Sequence, residues 1–178
     1  MKTRRYLALA MMTVVGLAAA CAPPPAPSTI DQDSPVTPGG PATLIGCTPV
    51  VQTFTAGRTG MLDTVSVIVL PTSFSTSFNV AVAAAPGGVV PLGFTSLGSG
   101  SYAGPASAST STYIDVPVSP TVSVVAGQEY GLVFDTSPCS ATTALQSAGL
   151  DSYPGGKLTL INGTALPQGD LNFRTWVL

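Results

Sequence analysis

Residues 61–70 read MLDTVSVIVL. Val65, Val67 and Val69 recur at every second position, and side chains of a strand alternate between its two faces. A helix needs a period near 3.6 residues, which this run lacks. The same alternation recurs outward along the chain. In 77–84, SFNVAVAA, Phe78, Val80 and Val82 share a face; in 128–135, QEYGLVFD, Tyr130, Leu132 and Phe134 do so. In 112–118, TYIDVPV, Ile114, Val116 and Val118 alternate with Tyr113 and Asp115. At the end, DLNFRTWVL sets Leu171, Phe173, Thr175 and Val177 on one face and Asp170, Asn172, Arg174 and Trp176 on the other. Further strands are expected at 49–55, 88–97, 121–125 and 157–161. The stretches 85–88, APGG, and 154–156, PGG, carry turn chemistry, and 98–112 and 136–152 read as loops. Eight or nine short strands with regular turns predict an all-β domain, an antiparallel β-sandwich over 44–178.

Upstream, the chain changes character twice. Lys2, Arg4 and Arg5 precede a mostly apolar run, Tyr6 to Leu17, and the small residues 18–20. That order predicts a signal peptide over 1–20, too short and too soon followed by prolines for a membrane helix. Residues 17–21, LAAAC, resemble the lipobox of bacterial lipoproteins, with Ala18 where that motif usually has Leu. The resemblance implies that Cys21 becomes the lipidated first residue and that the exported chain is held at a bacterial cell membrane or outer membrane. Plain cleavage and release of a free chain is the other reading. The chain has three Cys. Lipidation of Cys21 leaves Cys47 and Cys139 as a disulfide pair in an oxidising compartment.

From 21 to 43 a lipidated cysteine is followed by a Pro-rich tether. Seven of the 22 residues after Cys21 are Pro and two are Gly. With no apolar periodicity, this segment is expected to stay disordered and extended, reaching about 65–70 Å.

Charge and composition exclude whole classes of function. Charged residues are 8% of the chain, against about 25% in ordinary domains. Beyond Cys21 only Arg58, Lys157 and Arg174 face eight carboxylates. Three scattered cations cannot neutralise a run of phosphates, so no nucleic acid is expected as a partner. The chain has no His, which removes His-based acid/base and triad mechanisms.

A second resemblance covers 50–178. The order of Gln52-Thr-Phe54-Thr-Ala56-Gly57, Gly60-Met-Leu62-Asp-Thr-Val65, Ala126-Gly127-Gln-Glu-Tyr130-Gly-Leu-Val-Phe134, Tyr153-Pro-Gly-Gly156 and Asp170-Leu-Asn-Phe173-Arg174-Thr-Trp176 is similar to jelly-roll, galactose-binding-like accessory modules of secreted bacterial proteins. The resemblance implies a jelly-roll-like sandwich displayed at a surface. It implies no single activity.

No catalytic constellation is legible. Glycoside hydrolysis needs two carboxyls about 5–9.5 Å apart. Glu129 and Asp135 fall on one strand face about 20 Å apart, and Asp63 with Asp115 is not placed by sequence. Lys157 follows a Gly-Gly turn without a Ser-x-x-Lys motif and reads as a solvated turn residue. Asp135, Asp151 and Asp170 are loop or strand-end carboxylates that calcium could use, but no metal or other cofactor is expected. Asn162-Gly-Thr164 reads as a β-turn. Arg58, Tyr102, Tyr113, Tyr153, Arg174 and Trp176 are the groups a sugar or peptide site could use, and Tyr113, Arg174 and Trp176 are the candidate ligand-binding residues. Tyr113 and Trp176 point off the core face; the competing reading is a covered face, or Arg174 lying along Trp176 as a cation–π neighbour. The expectation is a non-catalytic, surface-anchored lipoprotein whose sandwich binds an envelope partner or plays a structural envelope role. The alternative is a carbohydrate-active enzyme or carbohydrate-binding module.

Overall fold

A computed structural model describes residues 27–178 apart from 72–75, 110–111 and 137–141. Cys21, the expected signal peptide and Cys139 therefore lie outside the described residues. Eleven strands and no helix occur among the described residues. In chain order they are β1 (Thr29–Asp33), β2 (Ala42–Ile45), β3 (Val50–Thr55), β4 (Gly60–Val67), β5 (Phe78–Ala84), β6 (Gly98–Tyr102), β7 (Ile114–Val124), β8 (Glu129–Asp135), β9 (Thr143–Gln146), β10 (Leu158–Leu160) and β11 (Phe173–Val177).

Nine of them form one curled antiparallel sheet in the order β1-β11-β4-β7-β6-β5-β8-β3-β10. Two layers result: β1-β11-β4-β7 and β6-β5-β8-β3-β10. They join at the single Ser99↔Ser119 pairing of β6 with β7. The corner requires glycine. A Cβ on Gly98 would stand 2.2 Å from the Pro120 carbonyl oxygen, and one on Gly100 2.3 Å from that of Pro117. The peptide bond between Ser119 and Pro120 is cis. The all-β sandwich expected from the alternation is thus the observed architecture.

The inward face of each strand is the one the alternation marks. Val65 and Val67 of β4, Val80 and Val82 of β5, Leu132 and Phe134 of β8, and Phe173 and Val177 of β11 are all buried in one core. Phe54 ties the layers together. Its ring lies 5.7 Å from Tyr130 in its own layer and 6.4 Å from Phe173 across the core. Burying each such side chain contributes about 1.5–3 kcal/mol. On the outer face of the five-stranded layer a second cluster forms, in which Val90 and Phe94 of the 85–97 loop cover Val51, Ala83 and Val133.

Several elements depart from the expected boundaries. Thr29–Asp33, read as tether, is the edge strand β1, paired with β11 from Thr29↔Val177 to Asp33↔Arg174. It has no apolar pattern because side-chain bonds hold it. Ser28 donates to Asp63, Arg58 to Thr29, the Gly57 N–H to Asp31, and the Tyr153 hydroxyl to Gln32. Its charged residues also guard the sheet edge against pairing with other chains. The ordered fold thus reaches upstream of residue 44, and β2 likewise begins at Ala42.

The strand expected at 88–97 is a loop. Pro91 cannot donate to a ladder, and Gly87, Gly88 and Gly93 take positive φ of 69°, 70° and 73°. The following strand, β6, occupies the start of the stretch read as a low-complexity loop. The strands expected at 112–118 and 121–125 are one strand, β7. Within the loop expected at 136–152, Thr143–Gln146 form β9, which pairs with β2. All four residues of β9 are buried, and each of its faces carries one polar and one apolar residue, so no alternation shows.

Candidate functional site

Strand register brings the sequence-selected residues to one face. Asp33 of β1 pairs with Arg174 of β11, Arg174 with Ser66 of β4, and Ser66 with Asp115 of β7. These four form a row across the outer face of the four-stranded layer. Trp176 lies two residues along β11 and therefore on the same face, and Tyr113 immediately precedes β7.

The side chains on this face bond to one another. Arg174 Nε donates to Asp33 Oδ1 at 2.9 Å, and its guanidinium carbon sits 4.1 Å from the centroid of the Tyr113 ring. The cation–π partner of Arg174 is therefore Tyr113, in place of the Trp176 considered from sequence. Tyr113 donates its hydroxyl to the Ser34 carbonyl at 3.2 Å. Trp176 Nε1 donates to Ser66 Oγ at 2.7 Å, and Ser66 donates to Asp115 Oδ1 at 2.6 Å. Ser66 is fully buried on an outward-facing position, and Trp176, its hydrogen-bond partner, is half-buried.

The electrostatics follow from these contacts. Burial pushes the Tyr113 hydroxyl up to about 12; Arg174 opposes that shift and Asp33 adds to it. The hydrogen bond to Asp33 raises Arg174 further above its usual value, with burial opposing. Tyr113 and Arg174 therefore keep fixed protonation states through the neutral range. The result is a preorganised face with two aromatic rings, one cation and two carboxylates.

The other groups singled out from sequence serve the fold. Tyr102 packs on Phe78 at 5.7 Å and donates to the Pro105 carbonyl. Tyr153 stands edge-on to Phe173 at 5.1 Å and donates to Gln32 Oε1 at 2.5 Å. Burial raises its hydroxyl to about 12. Arg58 reaches Thr29 and lies 3.8 Å from Asp31. The Thr164 N–H donates to Asn162 Oδ1 at 3.0 Å, which makes 162–164 a side-chain-closed turn.

Asp151 lies beside Asp170, and the remaining carboxylates weighed from sequence are engaged separately. Glu129 and Asp135 occupy the two ends of β8; Glu129 accepts the Gly88 N–H and Asp135 accepts Asn79 Nδ2. Asp63 accepts Ser28. No group of three or more Cys, Asp or Glu side chains able to hold a metal ion occurs among the described residues.

Asp170, placed by alternation on the outward face, is fully buried. It precedes β11, where the strand pattern has not begun. Its Oδ1 accepts Gln52 Nε2 at 2.9 Å, and its Oδ2 accepts the Ser152 and Tyr153 N–H groups at 3.0 and 2.9 Å. Gln52 Oε1 in turn accepts the Leu171 N–H at 2.8 Å. Burial is the largest influence on the Asp170 carboxyl and holds it above the ordinary range. Hydrogen bonds from Gln52 and Tyr153 pull the other way, and nearby Asp151 adds to the rise. This network sews β3 to the segment entering β11, and nothing in the local sequence marks it.

A groove absent from the sequence reading crosses the other layer. It has lobes of about 440 and 280 Å³ that share Thr55, Gly87 and Glu129. Its walls are the two Gly-Gly turns read from sequence, 85–88 and 154–156.

No protein-family model matches this chain, and no curated protein matches it.

Proposed function

We propose that the chain is an exported lipoprotein, anchored through lipid on Cys21, whose sandwich is a non-catalytic module that binds a component of the cell envelope. The LAAAC stretch supports the anchor, and the positively charged start followed by an apolar run supports export. Several acyl chains on one residue hold a protein stably at a membrane, where a single chain does not.

The single observation that carries the binding role is the outer face of the four-stranded layer. Two rings and a guanidinium are held there, on β11 and just before β7, by hydrogen bonds and a cation–π contact. Holding binding groups in place before contact lowers the entropy cost of association. The Trp176 ring, with Tyr113 and its stacked Arg174 beside it, favours carbohydrate as the ligand, because sugar faces stack on aromatic rings.

Two measurements test the proposal. Palmitate labelling with detergent phase partition is expected to show a labelled wild-type chain in the detergent phase, and an unlabelled Cys21→Ala chain that is either stalled with its leader or released. Wild-type protein found wholly in the aqueous phase refutes the anchor. Binding of the chain to isolated envelope glycans and peptidoglycan is expected to fall at least about tenfold in Trp176→Ala and Tyr113→Ala, a loss of about 1.4 kcal/mol each. Unchanged binding in both variants removes this face from the function.

A further inference from the structure

The groove on the five-stranded layer lies away from the Trp176 face and has a different chemistry. Its two lobes meet at Glu129, the first residue of β8, which is half-buried between them. Glu129 Oε2 accepts the Gly88 N–H at 2.9 Å. Its other oxygen, Oε1, has no hydrogen-bond partner among the described residues.

Lys157 lines the smaller lobe and is exposed. Neither Lys157 nor Glu129 belongs to an ion pair among the described residues; the pairs there are Arg58 with Asp31 and Arg174 with Asp33. The two charges nevertheless converge on one residue. A Cβ on Gly88 would stand 3.7 Å from Glu129 Oε1 and 4.0 Å from Lys157 Cε. Gly88 has φ of 70°, so the turn that admits both side chains is one that glycine adopts without strain.

The groove offers no stacking platform. Tyr130, the aromatic residue lining it, directs its ring to the core, 5.7 Å from Phe54, and its hydroxyl accepts the Val125 N–H. Neutral sugars gain much of their affinity from ring faces, so a carbohydrate finds little here. An unpaired carboxylate and an unpaired ammonium facing one concavity instead suit a ligand that carries both opposite charges. Lys157 and Glu129 lie close enough for a ligand of two or three residues, whose extended backbone covers about 3.5 Å per residue.

We propose that this groove binds a short zwitterionic peptide, with the ligand's ammonium on the Glu129 carboxylate and its carboxylate on the Lys157 ammonium. Both protein charges touch solvent, so each pair is screened and the affinity is weak, in the millimolar range or above. The same charges could come from the ends of a free di- or tripeptide or from basic and acidic side chains of a longer chain.

The test is an amide NMR titration of the full chain in detergent with trialanine. Saturable shifts at Gly88 and its neighbours are expected. Trialanine capped at both ends is expected to bind about tenfold more weakly, and Lys157→Met and Glu129→Gln about two- to fivefold more weakly with uncapped trialanine. Glutamine keeps the oxygen that accepts the Gly88 N–H, and Lys157 is exposed, so both variants are expected to keep the wild-type spectrum elsewhere. A capped Lys-Ala-Asp peptide that matches trialanine upholds the site and assigns its charges to a longer chain; one that fails upholds it for free termini. No saturable shift with trialanine, equal binding of its capped form, or full binding by both variants overturns the proposal. So does maltotriose binding in the groove where trialanine does not.

Discussion

Gln52→Leu is the sharpest probe of what holds the two layers in register. Gln52 is fully buried on β3, and leucine nearly matches its volume, so packing changes little. Three hydrogen bonds disappear: those from Nε2 to Asp170 Oδ1 and to the Thr53 carbonyl, and that from the Leu171 N–H to Oε1. The Leu171 N–H is left buried without a partner, which costs about 1–3 kcal/mol. The Asp170 carboxylate loses a charge-assisted bond worth about 1.5–3 kcal/mol. The extra apolar surface of leucine offsets part of this, which leaves a net loss of about 2–5 kcal/mol. At about 2–4 °C per kcal/mol for a domain of this size, the melting temperature is expected to fall by about 4–20 °C. Urea unfolding followed by the fluorescence of Trp176, the single tryptophan, measures it. Gln52→Glu keeps an acceptor for Leu171 but sets a second carboxylate against Asp170, so its deficit is expected to shrink as pH falls. A loss below about 1 kcal/mol in Gln52→Leu, or a Gln52→Glu deficit independent of pH, refutes the reasoning.

Three further outcomes are expected. Burial raises the Asp170 carboxyl above 3.8, so the native state binds the extra proton, and its contribution to stability is present at low pH and lost as pH rises from 3.8 through the raised value. The urea midpoint of wild type relative to Asp170→Asn is expected to decline over that window, and a difference that is flat with pH contradicts the cause. Phe54→Ala removes the ring that touches both Tyr130 and Phe173, and a loss of about 3–5 kcal/mol in urea unfolding is expected; a loss under about 1 kcal/mol refutes its bridging role. Peptide mapping under non-reducing conditions is expected to show Cys47 joined to Cys139. The Thr136 N–H donates to the Gly46 carbonyl at 3.2 Å, which brings the chain just before each cysteine together, and recovery of both cysteines as free thiols refutes the bridge.

The all-β class and most of the core were legible because alternation is a local property. Each of Val65, Val67, Val80, Val82, Leu132, Phe134, Phe173 and Val177 is buried as its place in a period-two run requires. The turns at 85–88 and 154–156 were legible for a like reason, since glycine and proline fix backbone geometry within a few residues. What the sequence left undetermined depends on partners distant along the chain. β1 is a strand because β11 accepts it and because Arg58, Gly57 and Tyr153 bind its polar side chains, none of which leaves an apolar period. β9 is covered on both faces, so burial erased its pattern. Asp170 is buried because Gln52, 118 residues earlier, supplies its partner. Sequence selected Tyr113, Arg174 and Trp176 by residue type, but only the register of β1, β11, β4 and β7 decided that Arg174 lies over Tyr113 and Trp176 bonds to Ser66. Lys157 reads from sequence as a solvated turn residue and Glu129 only as a carboxylate too far from Asp135; the approach of two glycine turns across different strands placed them in one groove.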